Sequence, residues 1–592
     1  MSITHQALLK LGYSYRPTSR LKRELFLRKY SLSDGVYIKK YITTRGEFEI
    51  ALIQASDPHV ELPTTFVIDM PLAFQGLLIP HISHEGYLCY VEQMEADWNP
   101  NDLDELYKAV DAQIERTLDI AVSSFDCKRQ GDRELENEFV SYWSSSAELY
   151  ALHELKRHSK YVSVLATAND KEQLRSSEYI TVQSGKEPNS LLNNKPLQQW
   201  LKQRGLRFEC LTEPSINTHY IWVRPKLLSG VKWPPQSFTE VLAWLELVDL
   251  SARDHLVRCL SSSNAKRNVV ILDINKQAPV SIYLELDINR IECQIGARKT
   301  RRRRKHTPFQ NIVGILSSKN FCTKFIRLSV TKADKSAILG RNQERESELI
   351  SKRIALIGCG TIGGYLAELL VRNGAGLGIK CLHLYDRDNL NPHNFSRHTL
   401  SVSDFGRNKA SALASALRKS IHLANSILGF EANFPINEQV LGKYDIVIDA
   451  TGRPPVSKRL GFVVRKMRLD RPIIVHAFND GNGRAAKVLV DNGQSCYGCM
   501  TIDKSIHQDQ SDMRFDDIDL SKEKKVSCGS TYTVYDAGVS QISASMALEA
   551  VLNTLNKDIP WTYSEFLLDS RYRSGKRKTL KHQVQCVVCD ED

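Results

Sequence analysis

Arg353-Ile354-Ala355-Leu356-Ile357, then Gly358-Cys359-Gly360-Thr361-Ile362-Gly363-Gly364, then Tyr365-Leu366-Ala367-Glu368-Leu369-Leu370-Val371-Arg372 is the stretch that decides the fold. A short apolar run rich in β-formers leads through glycines into a segment with helical spacing. A strand, a glycine turn and a helix make the phosphate-cradling start of a Rossmann-type α/β unit. Glycine lets the backbone approach a phosphate, and the helix N-terminus points unpaired N–H groups at the anion. A second apolar run, Ile379 to Tyr385, ends in Asp386, placed to hydrogen-bond a ribose hydroxyl. To this point a nicotinamide dehydrogenase reads the same way.

The next residues separate the readings. Asp386 and Asp388 are followed by Asn391, His393, Asn394, Arg397 and His398, then by Arg407 and Lys409. A guanidinium clamps phosphate oxygens in pairs and a lysine adds a point charge, as a triphosphate requires. Tyr444-Asp445-Ile446-Val447-Ile448 reads as a later strand. Asp449 at its end is positioned to hold Mg²⁺ against the phosphates. Taken singly, each of these polar residues also fits a solvated loop.

As an ordered set they resemble the adenylation domain shared by ubiquitin-activating enzymes and the activators of bacterial sulfur carriers. The matching positions are Gly358, Gly360, Gly363, Asp386, Asp388, Asn394, Arg397, Lys409 and Asp449; His393 stands where the family usually has serine. The resemblance implies ATP with Mg²⁺ as nucleotide and ion. It also implies a homodimer in which an arginine just before the domain, Arg341 here, reaches the ATP of the mate. A solvated surface arginine is the alternative for Arg341.

The chain has 592 residues, enough for three or four domains. Hydrophobic content is 42% and charged content 25%, ordinary for a globular protein. No apolar run approaches the roughly 20 residues that cross a bilayer, and Met1 to Gln6 has no charged-then-apolar pattern. The expected location is therefore the cytosol, with no membrane partner. The thirteen cysteines are then expected to be reduced, so that clusters point to metal or catalysis. The net charge is +12, part of it in the run Arg298 to His306. Without interleaved aromatics that run reads as a solvated loop rather than a nucleic-acid patch.

Residues 1–154 show strand-like pieces at Gly35–Ile38, Glu47–Ile53 and Phe66–Ile68, then a turn from Leu77 to Cys89 and a Trp98-Asn99-Pro100 motif. A helix is predicted from Leu103, with apolar positions at Leu106, Val110, Ile114, Leu118 and Ile120. The order resembles an α+β ubiquitin-conjugating-enzyme fold, which makes Cys89 the acyl carrier: a thiolate attacks an activated acyl group and the thioester stays reactive toward amines. Free cysteine is also often simply buried. The family's His-Pro-Asn motif is absent, leaving His81 or His84 to substitute for its asparagine.

Residues 155–343 read as an α+β linker domain, with a helix over Leu247–Leu260 and paired strands at 268–274 and 280–286. In 344–592, Cys496-x-x-Cys499 and Cys586-x-x-Cys589 fit tetrahedral Zn²⁺, from two loops rather than one ribbon; redox pairs or reduced, unligated thiols are the alternatives. Thr501 to Lys525 is polar and reads as a mobile loop. It leads to Cys528, the candidate thiol for attack on an acyl-adenylate; a small-residue helix over Val539–Leu552 follows.

The whole resembles the bacterial ubiquitin-transfer-like proteins of CBASS anti-phage operons. Those attach the C-terminus of a cGAS-like nucleotidyltransferase to targets, which implies such a partner here and an amine, such as lysine, as acceptor. Three alternative functions remain, one of them a binding module that uses the basic run and would retain nucleic acid in a salt-sensitive way. A sulfur-carrier adenylyltransferase would keep full activity in Cys89→Ala, and an NAD-dependent oxidoreductase would bind NADH without ATP–pyrophosphate exchange.

Overall fold

A computed structural model describes residues 3–21, 27, 35–136, 138–168, 177–185, 191, 193–208, 215–263, 265–291, 309–318, 320–340, 348–507, 512–515, 517, 524–527, 530–532, 535–556 and 559–589. Arg341, Cys528 and the basic run 298–306 lie outside the described residues. The chain forms two compact units, Met1–Ser190 with Arg207–Lys332, and Leu191–Leu206 with Ala333–Asp592.

The first unit opens with an antiparallel sheet of β1 (Ser14–Pro17), β2 (Gly35–Thr43), β3 (Gly46–Ile53) and β4 (Thr64–Asp69), in that spatial order. Side chains alternate across a strand. Tyr37, Phe48, Ile50, Leu52 and Val67 therefore face one core, and Val36, Ile38, Ala51 and Phe66 face another. The first core is closed by the helix Leu103–Asp126. Asp102 caps it by accepting from Glu105 N at 3.0 Å. Leu103, Leu106, Val110, Ile114 and Leu118 are buried as their spacing predicts, but Ile120 is 37% exposed. Ala121 and Val122 continue the apolar face in its place.

The middle of the chain contains a closed barrel. Strands β5 (Ala147–Ala151), β6 (Tyr161–Ala168), β7 (Ser177–Gln183), β9 (Ser215–Val223), β10 (Arg267–Ile274), β11 (Val280–Leu286) and β12 (Cys322–Lys332) pair in a ring, because β7 bonds both β5 and β6. A short strand, β8 (Leu206–Phe208), adds to β6 outside that ring. Leu149, Tyr179, Ile216, Val269, Ile271, Tyr283 and Leu328 fill one face. Ser163 places its hydroxyl 2.7 Å from that of Thr181 and 2.8 Å from that of Thr218. The predicted helix Leu247–Leu260 is two helices, Phe238–Val248 and Leu250–Ser263, separated at Asp249. The Asp249 carboxylate accepts from Ser251 N and Ala252 N, both at 3.1 Å, capping the second helix.

The second unit is a doubly wound sheet. Strands β13 (Ile354–Ile357), β14 (Leu382–Tyr385), β15 (Ile427–Phe430), β16 (Ile446–Asp449) and β17 (Ile473–Asp480) are parallel, in the order β15-β14-β13-β16-β17. Beyond β17 come β18 (Ala485–Asp491) and, outside it, β21 (Tyr563–Leu567), both antiparallel, while β19 (Lys524–Ser527) and β20 (Ser530–Tyr532) form a separate hairpin. Every residue of β13 and β16 is buried, as strands covered on both faces must be. The strand order reverses between β13 and β16, so a crevice opens at their carboxyl ends. The helix Ala537–Asn553 covers the sheet with Ser540, Ser543, Ala544, Ala547 and Ala550, which matches the predicted small-residue helix.

The reading of Thr501 to Lys525 as a mobile loop needs correction over its described part. Ile506 and Phe515 are buried, and Lys487 of β18, fully buried, holds Asp480 at 2.6 Å and Asp512 at 2.7 Å. A buried cation between two carboxylates pins the segment to the sheet.

Candidate active site

The crevice between β13 and β16 is a cleft of about 590 Å³ lined by Gly358, Gly360, Asp386, Arg387, Asp388, Lys409, Phe434, Ala450, Thr451 and Arg453, among others. Its floor is the glycine turn. Gly358 has φ +87°, and a Cβ there would stand 3.0 Å from Ala450 O. A Cβ on Gly363 would stand 1.9 Å from Gly358 O, so the helix Thr361–Arg372 starts tight against the turn. Gly360, its N-cap, has open space where a Cβ would sit and no side-chain cap. The amides of that first turn therefore face the cleft, an anion-binding arrangement.

Asp386 at the tip of β14 is fixed by two backbone donors, Cys359 N at 2.7 Å and Asp388 N at 2.8 Å. Each oxygen keeps a lone pair for an incoming hydroxyl. Asn408 donates to Asp386 O at 2.8 Å and caps the helix Lys409–Ser420. Lys409 thus stands at the cleft wall, its Nζ 3.7 Å from Asp388 Oδ2. His398, named in the sequence without a role, packs behind the glycine turn. Its Nδ1 accepts from Leu400 N at 3.1 Å, so Nε2 carries the proton given to Cys359 O at 2.7 Å. Burial pushes its pKa below the ordinary histidine value. The imidazole pins the glycine turn from behind.

Three expected nucleotide residues sit differently. Asn394 accepts from Asn391 N at 2.9 Å and shapes the turn Pro392–Arg397. Arg397 is buried with its guanidinium 4.5 Å over the Tyr535 ring, whose hydroxyl lies 3.1 Å from Thr361 Oγ1. Asp449 is the correction. One oxygen accepts from Thr451 N (3.1 Å) and Thr451 Oγ1 (2.7 Å), the other from Ser457 Oγ (2.5 Å) and His476 Nδ1 (2.9 Å). Burial opposes its charge, but these donors prevail and hold its carboxyl below the usual range. With its side chain 1% exposed, Asp449 has no free oxygen for a cation. Asp386 and Asp388 are the carboxylates that line the cleft. Arg387 and Arg453, missed by motif reading, add cationic groups there; the signal was their place beside Asp386 and after Thr451-Gly452.

The four cysteines come together as expected. Cys496 Sγ lies 3.9 Å from Cys499 Sγ, 3.6 Å from Cys586 Sγ and 3.0 Å from Cys589 Sγ, and Cys499 lies 3.5 Å from Cys589. These separations are too long for disulfides. A tetrahedral Zn–S site at about 2.3 Å sets sulfurs about 3.8 Å apart, so the donor set fits zinc. A Cβ on Gly498 would stand 2.8 Å from Cys586 Sγ, so the backbone must pass close to the cluster.

In the first unit Cys89 is partly buried at the end of the 77–89 turn. The turn carries isolated bridges, Ile79 to Ile82 and Ile82 to Leu88, instead of a strand. Burial, with the Glu138 and Glu92 carboxylates adding to it, pushes the Cys89 thiol above its ordinary value. Trp98 donates to His59 O at 3.2 Å, and His59 Nδ1 lies 2.6 Å from Pro100 O, which ties the Trp98-Asn99-Pro100 motif to the end of the sheet.

Residues 11–152 match the prokaryotic E2 family B, and residues 336–588 match the ThiF family. An ATP-dependent ubiquitin transferase-like protein, Cap2, of Vibrio cholerae is 47% identical over 590 residues, 99% of each chain. The Escherichia coli protein of the same name is 45% identical over 596 residues, again 99% of each chain. Among solved structures, E. coli MccB with ATP is 20% identical over 41% of this chain and 68% of that one, with a TM-score of 0.30. Among the described residues no helix is long and apolar enough to cross a membrane.

Proposed function

The chain belongs to the family of ATP-dependent ubiquitin transferase-like proteins, and from that premise we propose that it joins the C-terminus of a partner protein to an amine. The partner's terminal carboxylate attacks the α-phosphate of ATP in the β13–β16 cleft. The products are an acyl-adenylate and pyrophosphate. Cys528 takes the acyl group and releases AMP, Cys89 receives it, and a lysine or other amine accepts it. The partner is a cGAS-like nucleotidyltransferase of a CBASS anti-phage system, and the working enzyme is a cytoplasmic homodimer in which Arg341 of one copy serves the cleft of the other. Residues 1–154, 155–343 and 344–592 are its conjugating, linking and adenylating domains.

The observation that carries this reading is the cleft itself. A fixed ribose acceptor, Asp386, stands on one side of the open amides beyond Gly360, and Lys409 stands at the wall. Phosphates over those amides meet the helix N-terminus and Lys409, which stabilise charge developing on the α-phosphate. Asn394 and Arg397 act by shaping the wall. Mg²⁺ held against the phosphates by Asp388 would neutralise part of their charge. Cys496, Cys499, Cys586 and Cys589 would hold Zn²⁺ as a structural ion.

Exchange of labelled pyrophosphate into ATP tests the first step. The purified chain, given a peptide ending in the nucleotidyltransferase C-terminus, is expected to catalyse it. Lys409→Ala is expected to slow it by about 10²–10³-fold, as for loss of one electrostatic stabiliser. Absence of exchange with that peptide and with the intact nucleotidyltransferase overturns the proposal.

A further inference from the structure

The turn that carries Cys89 is held from outside its own sheet. Leu78 N donates to Val231 O at 2.8 Å, and Gly230 N donates to Leu78 O at 3.0 Å. The loop before Gly230 is fixed in turn by Asp132, which accepts from Leu228 N at 2.7 Å and Ser229 N at 2.8 Å. A second line of hydrogen bonds starts at the thiol residue. Cys89 N donates to His81 O at 2.8 Å. His81 N donates to the Tyr142 hydroxyl at 2.8 Å, and that hydroxyl donates to Glu138 Oε2 at 3.1 Å. The His81 imidazole lies between two carboxylates, 3.7 Å from Glu138 and 3.7 Å from Glu134.

Two features mark this line as more than a surface contact. His81 has φ 67°, the left-handed region that non-glycine residues rarely adopt and that tends to persist at functional positions. Glu138 immediately precedes the turn Phe139–Trp143, where Phe139, Tyr142 and Trp143 are buried. The carboxylate is therefore carried on an anchored segment, yet its side chain keeps 40% exposure. Burial first, and the Glu138 and Glu92 charges after it, hold the resting Cys89 thiol above its ordinary value. Burial favours the neutral form of Tyr87 and of Tyr142.

We propose that Glu138 is the proton acceptor for an amine attacking the Cys89 thioester, and that His81 and Tyr142 are positioning residues that aim it. The inference rests on the reading of Cys89 as an acyl carrier. An arriving ammonium group gives one proton to the Glu138 carboxylate. Its freed lone pair forms the N–C bond to the thioester carbonyl, and the C–S bond breaks. The second proton lost by nitrogen ends on the Cys89 sulfur, giving an amide and a thiol, and Glu138 returns its proton to water. The Glu138 and Glu134 carboxylates beside His81 draw a cationic nucleophile, so a lysine side chain is the chemistry they suit.

The test uses the full chain with Cys89 loaded by exchange from a fluorescent Gly-Gly thioester, the adduct assigned to Cys89 by peptide mass spectrometry. Discharge is followed at neutral pH with free lysine, which is cationic, and with hydroxylamine, which is neutral. Glu138→Gln is expected to slow discharge by lysine by about a hundredfold, the lower range for general base catalysis, and to leave hydroxylamine within twofold. Tyr142→Phe should reproduce the selectivity more weakly, and Glu138→Asp should restore part of the lysine rate. Equal slowing of both nucleophiles would make Glu138 a structural residue and overturn the proposal, as would an unchanged lysine rate. A wild-type Cys89 that accepts no acyl group overturns the carrier reading as well, whereas normal loading with normal lysine discharge in Glu138→Gln overturns only this step.

Discussion

Gly363 and Gly360, on the same turn, separate packing from binding. At Gly363 an added methyl would meet the Gly358 carbonyl at 1.9 Å, so Gly363→Ala must push the turn off the helix. Overpacking of this kind costs about 1–3 kcal/mol, and both melting temperature and ATP affinity should fall. At Gly360 the methyl meets nothing within 4 Å. Gly360→Ala should melt like wild type yet bind ATP weakly, because its methyl stands where phosphate must approach the amides. ATP titration calorimetry beside thermal melts separates the two; wild-type ATP affinity in Gly360→Ala would remove the phosphate from that place. His398 behind the turn supplies a pH dependence. Burial lowers its folded pKa, so below the ordinary value of about 6.5 the unfolded chain takes a proton that the native imidazole refuses. Its contribution to stability is present in full above that pH and is lost as pH falls toward the depressed value. The melting temperature should drop between pH 7.5 and 5.5, and the drop should shrink in His398→Gln. His219, His383 and His507 shift in the same direction and for the same first cause, so some drop survives the substitution.

At the scale of elements, the cysteine set joins the helix Tyr497–Ile502 to the far C-terminal turn that brings in Cys586 and Cys589. A metal bridging two elements contributes its binding free energy to folding. The purified chain is expected to carry about one zinc per chain by elemental analysis, and Cys586→Ser to lose both the metal and several degrees of melting temperature. A metal-free wild type with an unchanged melt would leave the four thiols as packing groups. Which elements were legible in advance follows from the range of the forces that form them. The strands 354–357 and 446–449 and the helix from Leu103 announce themselves through local apolar patterning. The seven-stranded ring in the middle of the chain does not, because its closure depends on β7 pairing with both β5 and β6, a contact that no local period encodes. The break at Asp249 was hidden for a related reason: an acid between two apolar runs reads as a solvent-facing helix position until its cap to Ser251 and Ala252 is seen.

At the scale of the whole molecule, Gly358, Asp386 and Asp449 were legible because each lies at the end of a strand, and Asn394, Arg397 and Lys409 because they follow in a fixed order. Their roles were less so. Asp449 ends its strand as expected, but its neighbours Thr451, Ser457 and His476 consume its oxygens, which only the folded environment reveals. Residues 1–154 held the larger omission, since Glu138 and Tyr142 join His81 in the turn that ends at Cys89 although no motif places them there. The two thiols assigned to the relay differ in what removing each should do, and that difference orders the steps. ATP–pyrophosphate exchange needs neither sulfur, so both Cys89→Ala and Cys528→Ala should retain it. If Cys528 acts first, Cys89→Ala still forms a thiol-labile adduct with the partner, seen on a non-reducing gel, and that adduct accumulates because it has nowhere to go. Cys528→Ala then forms no adduct at Cys89, since the adenylate never meets that thiol. The reverse pattern, an adduct in Cys528→Ala and none in Cys89→Ala, would mean that Cys89 takes the acyl group straight from the adenylate, and Cys528 would lose its place in the chemistry.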